Sequence, residues 1–432
     1  MYTAFITRIK NLRKHTNADR LLVGECFGST VVVGLDTEPE QLGVYFPTDG
    51  QLGIEYATQN NLLRGKDANG NNIGGYLDPE KRNIRALRLR GEQSDGLFMP
   101  LESLAAFTDI TKLSEGETVS ALNGVVICEK YIPCGNPGRR HTGGGTKLKT
   151  EPKTQYLFFA EHSDTAQLQH NLTQFKPGER VIITLKMHGV SQRAMNAIRE
   201  TDKKQSFLQR TIARITKRPP EKIRNWGCVS GTRRTVLNTN GGRYGGNNDF
   251  RMKYHDLFNG KLQKGEEVYF EAVGYANDST PIMSTCNNKK LEDKGFVKQY
   301  GDTTTFSYGC APGENDIYVY RMTMTNEDGY TVEYPWSLVK LRCEQMGVKY
   351  VPEFEAFDFT TTDDLNERVG KYLGGADPIG KTHVREGVAV RIEGREKFTA
   401  FKSKNFEFKV LEGLIKDAAS QPDIEEAEDV AV

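Results

Sequence analysis

Twenty residues, CGNPGRRHTGGGTKLKTEPK from Cys134 to Lys153, crowd glycine, proline and basic groups together and show no hydrophobic period. Such a segment has almost nothing to bury and reads as a linker, so the chain on either side of it must fold as separate bodies. At about 100–200 residues per domain, 432 residues supply two to four domains with sizeable cores, which excludes a small disulfide-stapled scaffold. We place the boundaries at 1–135, a linker 136–153, a second domain 154–412 and a tail 413–432.

On both sides of the linker the chain carries short strand-like runs, alternating or β-rich before it and strand-like after it. Before it stand YTAFITRI, RLLVGECF, STVVVGLD, LGVYFP, NIRALRLR and TVSALNGVVICEKYI, punctuated by Gly, Asn and Asp. They predict a small antiparallel barrel accompanied by a helix. After it, RVIITLKM, EVYFEAVGY, DIYVYRMTM, GVAVRIE, FTAFKSK and FEFKVL alternate with helical spacing near Ala194–Lys217 and Trp336–Met346. That pattern predicts an α+β domain of antiparallel sheets. Beyond Lys416, DAASQPDIEEAEDVAV has the composition of a disordered acidic tail.

Lys plus Arg number 58 against 57 acidic residues, a formal net charge of +1, so a polyanion partner needs positive charge gathered locally. It is gathered from Arg193 to Arg224, where ten basic residues stand against three acidic ones. Seven cysteines are scattered without a CxxC pair or a histidine at finger spacing, which points away from zinc and toward a reducing compartment. The N-terminus lacks a signal-peptide core and no run of ~18 apolar residues occurs, so a soluble, cytoplasmic protein with no membrane partner is expected.

Beside the basic stretch lies VIITLKMHGVSQR, an apolar strand that ends on Lys186. Desolvation at such a place favours the neutral amine, which is a nucleophile; the bland alternative is a side chain that reaches past the strand into solvent. Downstream come the paired Arg233 and Arg234 in GTRRTV, Glu271 in EEVYFEAVGY, the aromatics of DIYVYRMT, Glu386 at a glycine turn in REGVAVRIE, and Lys402 and Lys404 in FTAFKSKNFEF. Residues two apart on a strand share a face, so Lys402 and Lys404 can address one ligand.

In this order the motifs resemble those of the covalent nucleotidyltransferase superfamily of polynucleotide ligases and mRNA capping enzymes. KMHG is similar to the first motif, with the histidine that RNA ligases often carry where DNA ligases carry aspartate. FEAVG looks like the third, IYVYR the aromatic motif after it, EGVAV the fourth and KSK the fifth. Phe158 to Gly189 is similar to the approach to the catalytic lysine in ATP-dependent, nick-sealing RNA ligases that carry an N-terminal OB-fold domain. The resemblance spans 155–412, and more loosely the first 150 residues.

It implies an adenylyltransferase (ATP-grasp-like ligase) domain preceded by an all-β OB-fold-like barrel. Lys186 would attack the α-phosphate of ATP and carry AMP, His188 would organise the phosphates or the metal shell, and Gly189 would line the nucleotide site. Lys402 and Lys404 would hold the α-phosphate, Arg233 the ribose or phosphate and the substrate 5′ end, and Glu271 the ribose hydroxyls. Tyr320 would stack on adenine, and Glu386 would position a hydrated Mg²⁺ or Mn²⁺. The implied partner is nicked duplex RNA or an RNA–DNA hybrid, sealed by a monomer.

Arg321 stands where relatives usually have Asp, and Leu185 where they often have Glu. The sequence leaves Tyr318 open against Tyr320, Arg234 against Arg233, and Glu393 as either an alternative metal partner or a surface group. Lys10 to Cys26 resembles the opening of OB-fold modules that bind transfer RNA, and Arg82, Arg85, Arg88 and Arg90 are candidates for phosphate contact. Two other readings stay open: a DNA ligase or GTP-using capping enzyme, which usually carry a C-terminal OB module, and a non-catalytic RNA-binding protein.

Overall fold

A computed structural model describes residues 2–66, 72–133, 155–160, 162, 165–203, 221–233, 236–237, 250–291 and 294–418. The linker 136–153 and the tail beyond 418 therefore lie outside the described residues, as do 204–220 of the basic stretch and Arg234. The described residues fall into two compact units. One combines residues of Met1–Asn136 with Asn288–Lys294 and residues of Lys404–Pro422; the other combines residues of Pro137–Asn287 with Gly295–Ser403. Among the described residues, no helix is long and apolar enough to cross a membrane.

In the first unit, Leu97–Pro100, Leu42–Phe46, Ala4–Arg8 and Thr118–Val119 form an antiparallel sheet in that order, and Lys10–Lys14, Leu21–Cys26 and Ser29–Gly34 form a meander. Alternation along Leu42–Phe46 sends Val44 and Phe46 into one apolar core with Ala4 and Ile6, and Tyr45 into another with Ile9, Val31 and Val33. Further pairs of short strands surround these sheets, but among the described pairings no sheet closes on itself into the expected barrel.

FEFKVL, which alternates like a strand, instead opens the helix Phe406–Ala418. Phe408 and Leu411, three apart, are fully buried, and the Asn405 side chain accepts from the Glu407 amide at 3.3 Å at the helix start. Lys409 and Lys416 pair with Asp95 and Asp49 of the same unit at 2.6 and 3.1 Å. A six-residue alternation is too short to tell the two periods apart, and these contacts decide it.

The second unit is α+β with mostly antiparallel sheets. Its larger sheet runs Gln155–Leu157, Val190–Asp202, Glu266–Asn277, Asn315–Thr325, Thr331–Glu333, with Lys222–Gly231 also paired to Val190–Asp202. The helical spacing expected over Ala194–Lys217 thus gives way to strand as far as Asp202. Val190–Asp202 pairs on both edges, with Ala272 to Glu267 on one side and Gly231 to Lys222 on the other, so tertiary ladders override the local pattern. The helix expected over Trp336–Met346 forms with those bounds and stops at Gly347, whose φ of +70° is left-handed.

A five-stranded sheet completes the unit in the order Ala166–Gln167, Thr399–Lys404, Gly387–Ile392, Arg180–Lys186, Glu353–Asp358. One face carries Val181, Ile183, Val388, Val390, Ile392 and Phe401 into an aliphatic core. The helix Thr362–Leu373 covers it, capped by the Thr361 side chain and burying Leu365 and Val369 at i, i+4 spacing. Ile182, Thr184 and Lys186 alternate to the opposite face, as do Lys402 and Lys404 relative to Phe401.

Candidate active site

Lys186 is the last residue of its strand and lies in register opposite Gly387 of the antiparallel neighbour. Glu386, one residue before that neighbour begins, therefore arrives beside it, and the Lys186 Nζ to Glu386 Oε1 distance is 2.7 Å. The carboxylate side chain is 3% exposed and the ammonium 25%, so the pair sits at the floor of the sheet end with its cation toward the open side. Two residues 200 apart in sequence meet because the ladder fixes their register.

The chain turns after Lys186 into the larger sheet, and Gly189 makes the turn possible. A Cβ on Gly189 would lie 2.4 Å from the Ala272 carbonyl oxygen and 2.8 Å from Glu271 Cγ. Glu271 is in register with Ser191 on one side and Tyr318 on the other. The pairing of Glu266–Asn277 with Asn315–Thr325 shifts at Tyr269/Phe270, so Tyr320 is the extra residue of a bulge. Its hydroxyl lies 3.0 Å from Ser191 Oγ and 3.3 Å from His162 Nε2. Burial, with Glu271 adding to it, raises the Tyr320 pKa, and desolvation likewise pushes Tyr318 up to about 12. Arg233 joins this group through its carbonyl, which accepts from the His162 amide at 3.0 Å.

Arg321 occupies a place of its own. Its guanidinium is paired with Glu333 through Nε at 3.1 and 3.0 Å, faces His162 Nδ1 at 3.3 Å, and lies over the Tyr269 and Phe398 rings at 4.5 and 4.6 Å. The guanidinium is thus accommodated by an acid brought from the next strand. Glu393, offered by the sequence as a metal partner or a surface group, is neither solvent-facing nor beside Glu386's partner. Its carboxylate accepts from the Trp336 amide at 2.7 Å and pairs with Arg391.

Lys402 and Lys404 share a strand face, two residues apart. Lys402 belongs to the second unit and is in register with Gln167. Lys404 belongs to the first unit, where its ammonium is 2.7 Å from Glu412 and 4.0 Å from Asp49. In the described part of the basic stretch, Arg193, Lys203, Lys222 and Arg224 are matched by acids. Arg193 is buried against Glu267 at 3.0 Å, Arg224 meets the buried Glu200 at 2.9 Å together with Lys222, and Lys203 meets Glu221 at 2.7 Å. In the first unit, Arg82 donates to the Leu52, Pro79 and Glu80 carbonyls and Arg88 to Glu407, so these two are committed within the fold.

Three residues at this site carry no signal in the sequence. His162, Ser191 and Tyr308 all sit within residues 155–412 but outside the motifs. The Tyr308 hydroxyl accepts from the His188 amide at 2.6 Å, and the His188 ring meets the Phe306 ring edge-on at 4.6 Å.

No family model matches this chain, and no curated protein matches it. Among solved structures, the fold is similar to that of Naegleria gruberi RNA ligase. A lysine-to-alanine mutant with ATP and Mn matches at 15% identity and a TM-score of 0.55, over 94% of this chain and 98% of that one. A lysine-to-methionine mutant with AMP and Mn gives 16%, 0.55, 94% and 97%. The enzyme with PPi gives 17%, 0.56, 94% and 97%. The likeness is one of fold: α+β, with mostly antiparallel sheets, as in those RNA ligases.

Proposed function

We propose that the chain is an ATP-dependent RNA ligase that seals 3′-OH/5′-phosphate breaks in duplex RNA or RNA–DNA hybrids. The observation that carries this reading is the meeting of Lys186 and Glu386 at the end of one sheet, on the face away from the aliphatic core. The fold likeness to RNA ligases supports it.

In the first step the neutral Lys186 amine attacks the α-phosphorus of ATP. A P–N bond forms, the bond to the bridging oxygen breaks, pyrophosphate leaves and the amine gives up a proton. A 5′-phosphate oxygen then attacks the lysine-bound phosphorus, the P–N bond breaks and the lysine nitrogen recovers a proton. Finally a 3′-hydroxyl attacks the adenylylated 5′-phosphate and AMP leaves. Each step gathers negative charge on phosphoryl oxygens, which Lys402, Lys404, Arg233 and His188 are proposed to stabilise. Glu271 and Tyr320 are proposed to hold the ribose and the adenine.

A buried carboxylate beside the nucleophile suits a hard cation. Among the described residues, no group of three or more His, Cys, Asp or Glu is gathered to hold a metal by protein ligands alone. That donor set fits a largely hydrated Mg²⁺ or Mn²⁺ held by Glu386 and substrate phosphates. When bound, the ion would neutralise charge on the phosphates. We further propose the N-terminal unit as an OB-fold-like RNA-binding domain.

Incubation with labelled ATP and a divalent cation should give an acid-labile protein–AMP adduct that is lost in Lys186→Ala and that excess unlabelled GTP does not displace. Undiminished label in Lys186→Ala would remove the covalent reading. Equal sealing of all-DNA and RNA nicks would move the assignment to a DNA ligase.

A further inference from the structure

Tyr308 stands between the helix Lys294–Tyr300 and the strand Asn315–Thr325, outside every motif. We infer that Tyr308 is a positioning residue for the Lys186 chemistry: its hydroxyl fixes the backbone of the turn after Lys186, and the loop leading into Glu386 holds the tyrosine in place. The inference rests on the reading of Lys186 as the nucleophile.

The first contact is the 2.6 Å hydrogen bond from the His188 amide to the Tyr308 hydroxyl. His188 lies between the strands Arg180–Lys186 and Val190–Asp202 and belongs to neither, so this bond restrains a turn that the ladders do not. Burial raises the Tyr308 pKa well above its ordinary value, the neighbouring Glu386 and Asp377 adding to the effect, so the group remains a neutral hydroxyl.

The second contact explains how a bulky residue keeps a left-handed backbone, at φ +51°. The backbone of Gly380 presses directly on it: a Cβ there would lie 2.3 Å from Gly309 N and 2.7 Å from Tyr308 C. Gly380 is itself held by Asp377, a fully buried carboxylate that accepts from the Ile379 and Gly380 amides at 2.9 Å and from Thr382 at 3.2 Å. The fully buried His383 ring then meets the Tyr308 ring edge-on at 4.5 Å and the Phe306 ring at 5.2 Å.

The Asp377–His383 turn is closed by the Asp377 amide on the His383 carbonyl at 2.9 Å and by the Arg385 amide on the Gly375 carbonyl at 3.0 Å. The next residue is Glu386. One tyrosine therefore touches the loops that carry both members of the Lys186–Glu386 pair. Loss of such a restraint lets the nucleophile wander, and a misplacement of about 1 Å costs on the order of a hundredfold in rate.

Single-turnover formation of the protein–AMP adduct, measured across ATP concentrations in wild type and Tyr308→Phe, tests this together with residue-resolved hydrogen exchange without nucleotide. We expect the maximal rate to fall by roughly ten- to a hundredfold with the half-saturating ATP little changed, because the hydroxyl restrains the turn and not the nucleotide. We also expect the His188 amide to exchange slowly in wild type although it lies outside the strands, and faster in Tyr308→Phe. A maximal rate within about twofold of wild type, or an effect confined to half-saturation, overturns the inference. So does fast exchange at His188 in wild type, a readout that holds even if the variant does not fold. If wild type forms no adduct, the nucleophile reading fails by itself, while the exchange measurement still decides whether Tyr308 restrains the turn.

Discussion

Replacing Gly189 by alanine places one methyl group at a tight point of the site. The added Cβ would meet the Ala272 carbonyl oxygen at 2.4 Å, where ordinary contact begins at 3.4 Å, so something must move by about 1 Å. Ala272 is held on both sides, opposite Val190 and Ile317, and its carbonyl cannot retreat without loosening two ladders. The turn is the softer partner, and it carries His188 and follows Lys186 directly. Overpacking of this kind costs about 1–3 kcal/mol of stability, and each kcal/mol lowers Tm by roughly 2–4 °C in a domain of ~150–250 residues. The displacement of the turn should cost more in chemistry, on the order of a hundredfold in adduct formation. Thermal melting and single-turnover labelling of Gly189→Ala with ATP measure the two effects separately. A variant that labels at the wild-type rate and melts at the wild-type temperature would refute the argument that this approach sets the site's geometry.

Two further outcomes follow from the charge arrangement. Arg321→Met leaves Glu333, whose side chain is 9% exposed, without its guanidinium and should cost about 3–5 kcal/mol in urea unfolding. Most of that loss should return in Arg321→Met/Glu333→Met, and a single mutant as stable as wild type would contradict the pairing. In the first unit, Glu92 accepts from both terminal nitrogens of Arg13 at 3.0 and 2.8 Å, and chiefly for that reason, with help from Thr16, its pKa falls from 4.5 to about 2. A depressed carboxylate contributes stability that is complete above 4.5 and lost as pH falls toward 2. The stability gap between wild type and Glu92→Gln, no more than ~1 kcal/mol at so solvated a site, should therefore close across that window. A gap that persists at pH 2 would show that Glu92 acts by something other than its charge.

Much of the fold was legible in short strand-like runs, and the candidate site in the order of its motifs along the chain. The runs around Ala4–Arg8, Leu21–Cys26, Arg180–Lys186, Glu266–Asn277 and Gly387–Ile392 are rich in apolar and β-branched residues, and each forms a strand. The face on which Lys186 lies, away from the aliphatic core, follows from the strand as folded. Where the reading failed, the deciding contact lay elsewhere in the chain. Ala194 to Asp202 is a strand because two other strands take its edges, and Phe406–Ala418 is a helix because Phe408 and Leu411 bury together. In the described part of the stretch from Arg193 to Arg224, the acids that meet Arg193, Lys222 and Arg224 are placed by the fold: Glu267 lies outside that window, and Glu200 is matched to Lys222 and Arg224 through strand register.

By itself, then, the sequence determined which segments could be strands and which lysines and carboxylates stand at strand ends, whereas the tertiary structure joins Asn288–Lys294 and residues of Lys404–Pro422 to the N-terminal unit. The tertiary structure alone decided which of those ends meet: that Lys186 lies 2.7 Å from Glu386, that Arg321 is answered by Glu333, and that the Tyr308 hydroxyl reaches the His188 amide. The physical reason is that hydrophobic period is a property of neighbours along the chain, whereas strand register and the close approach of glycines such as Gly189 and Gly380 are fixed by residues tens to hundreds of positions away.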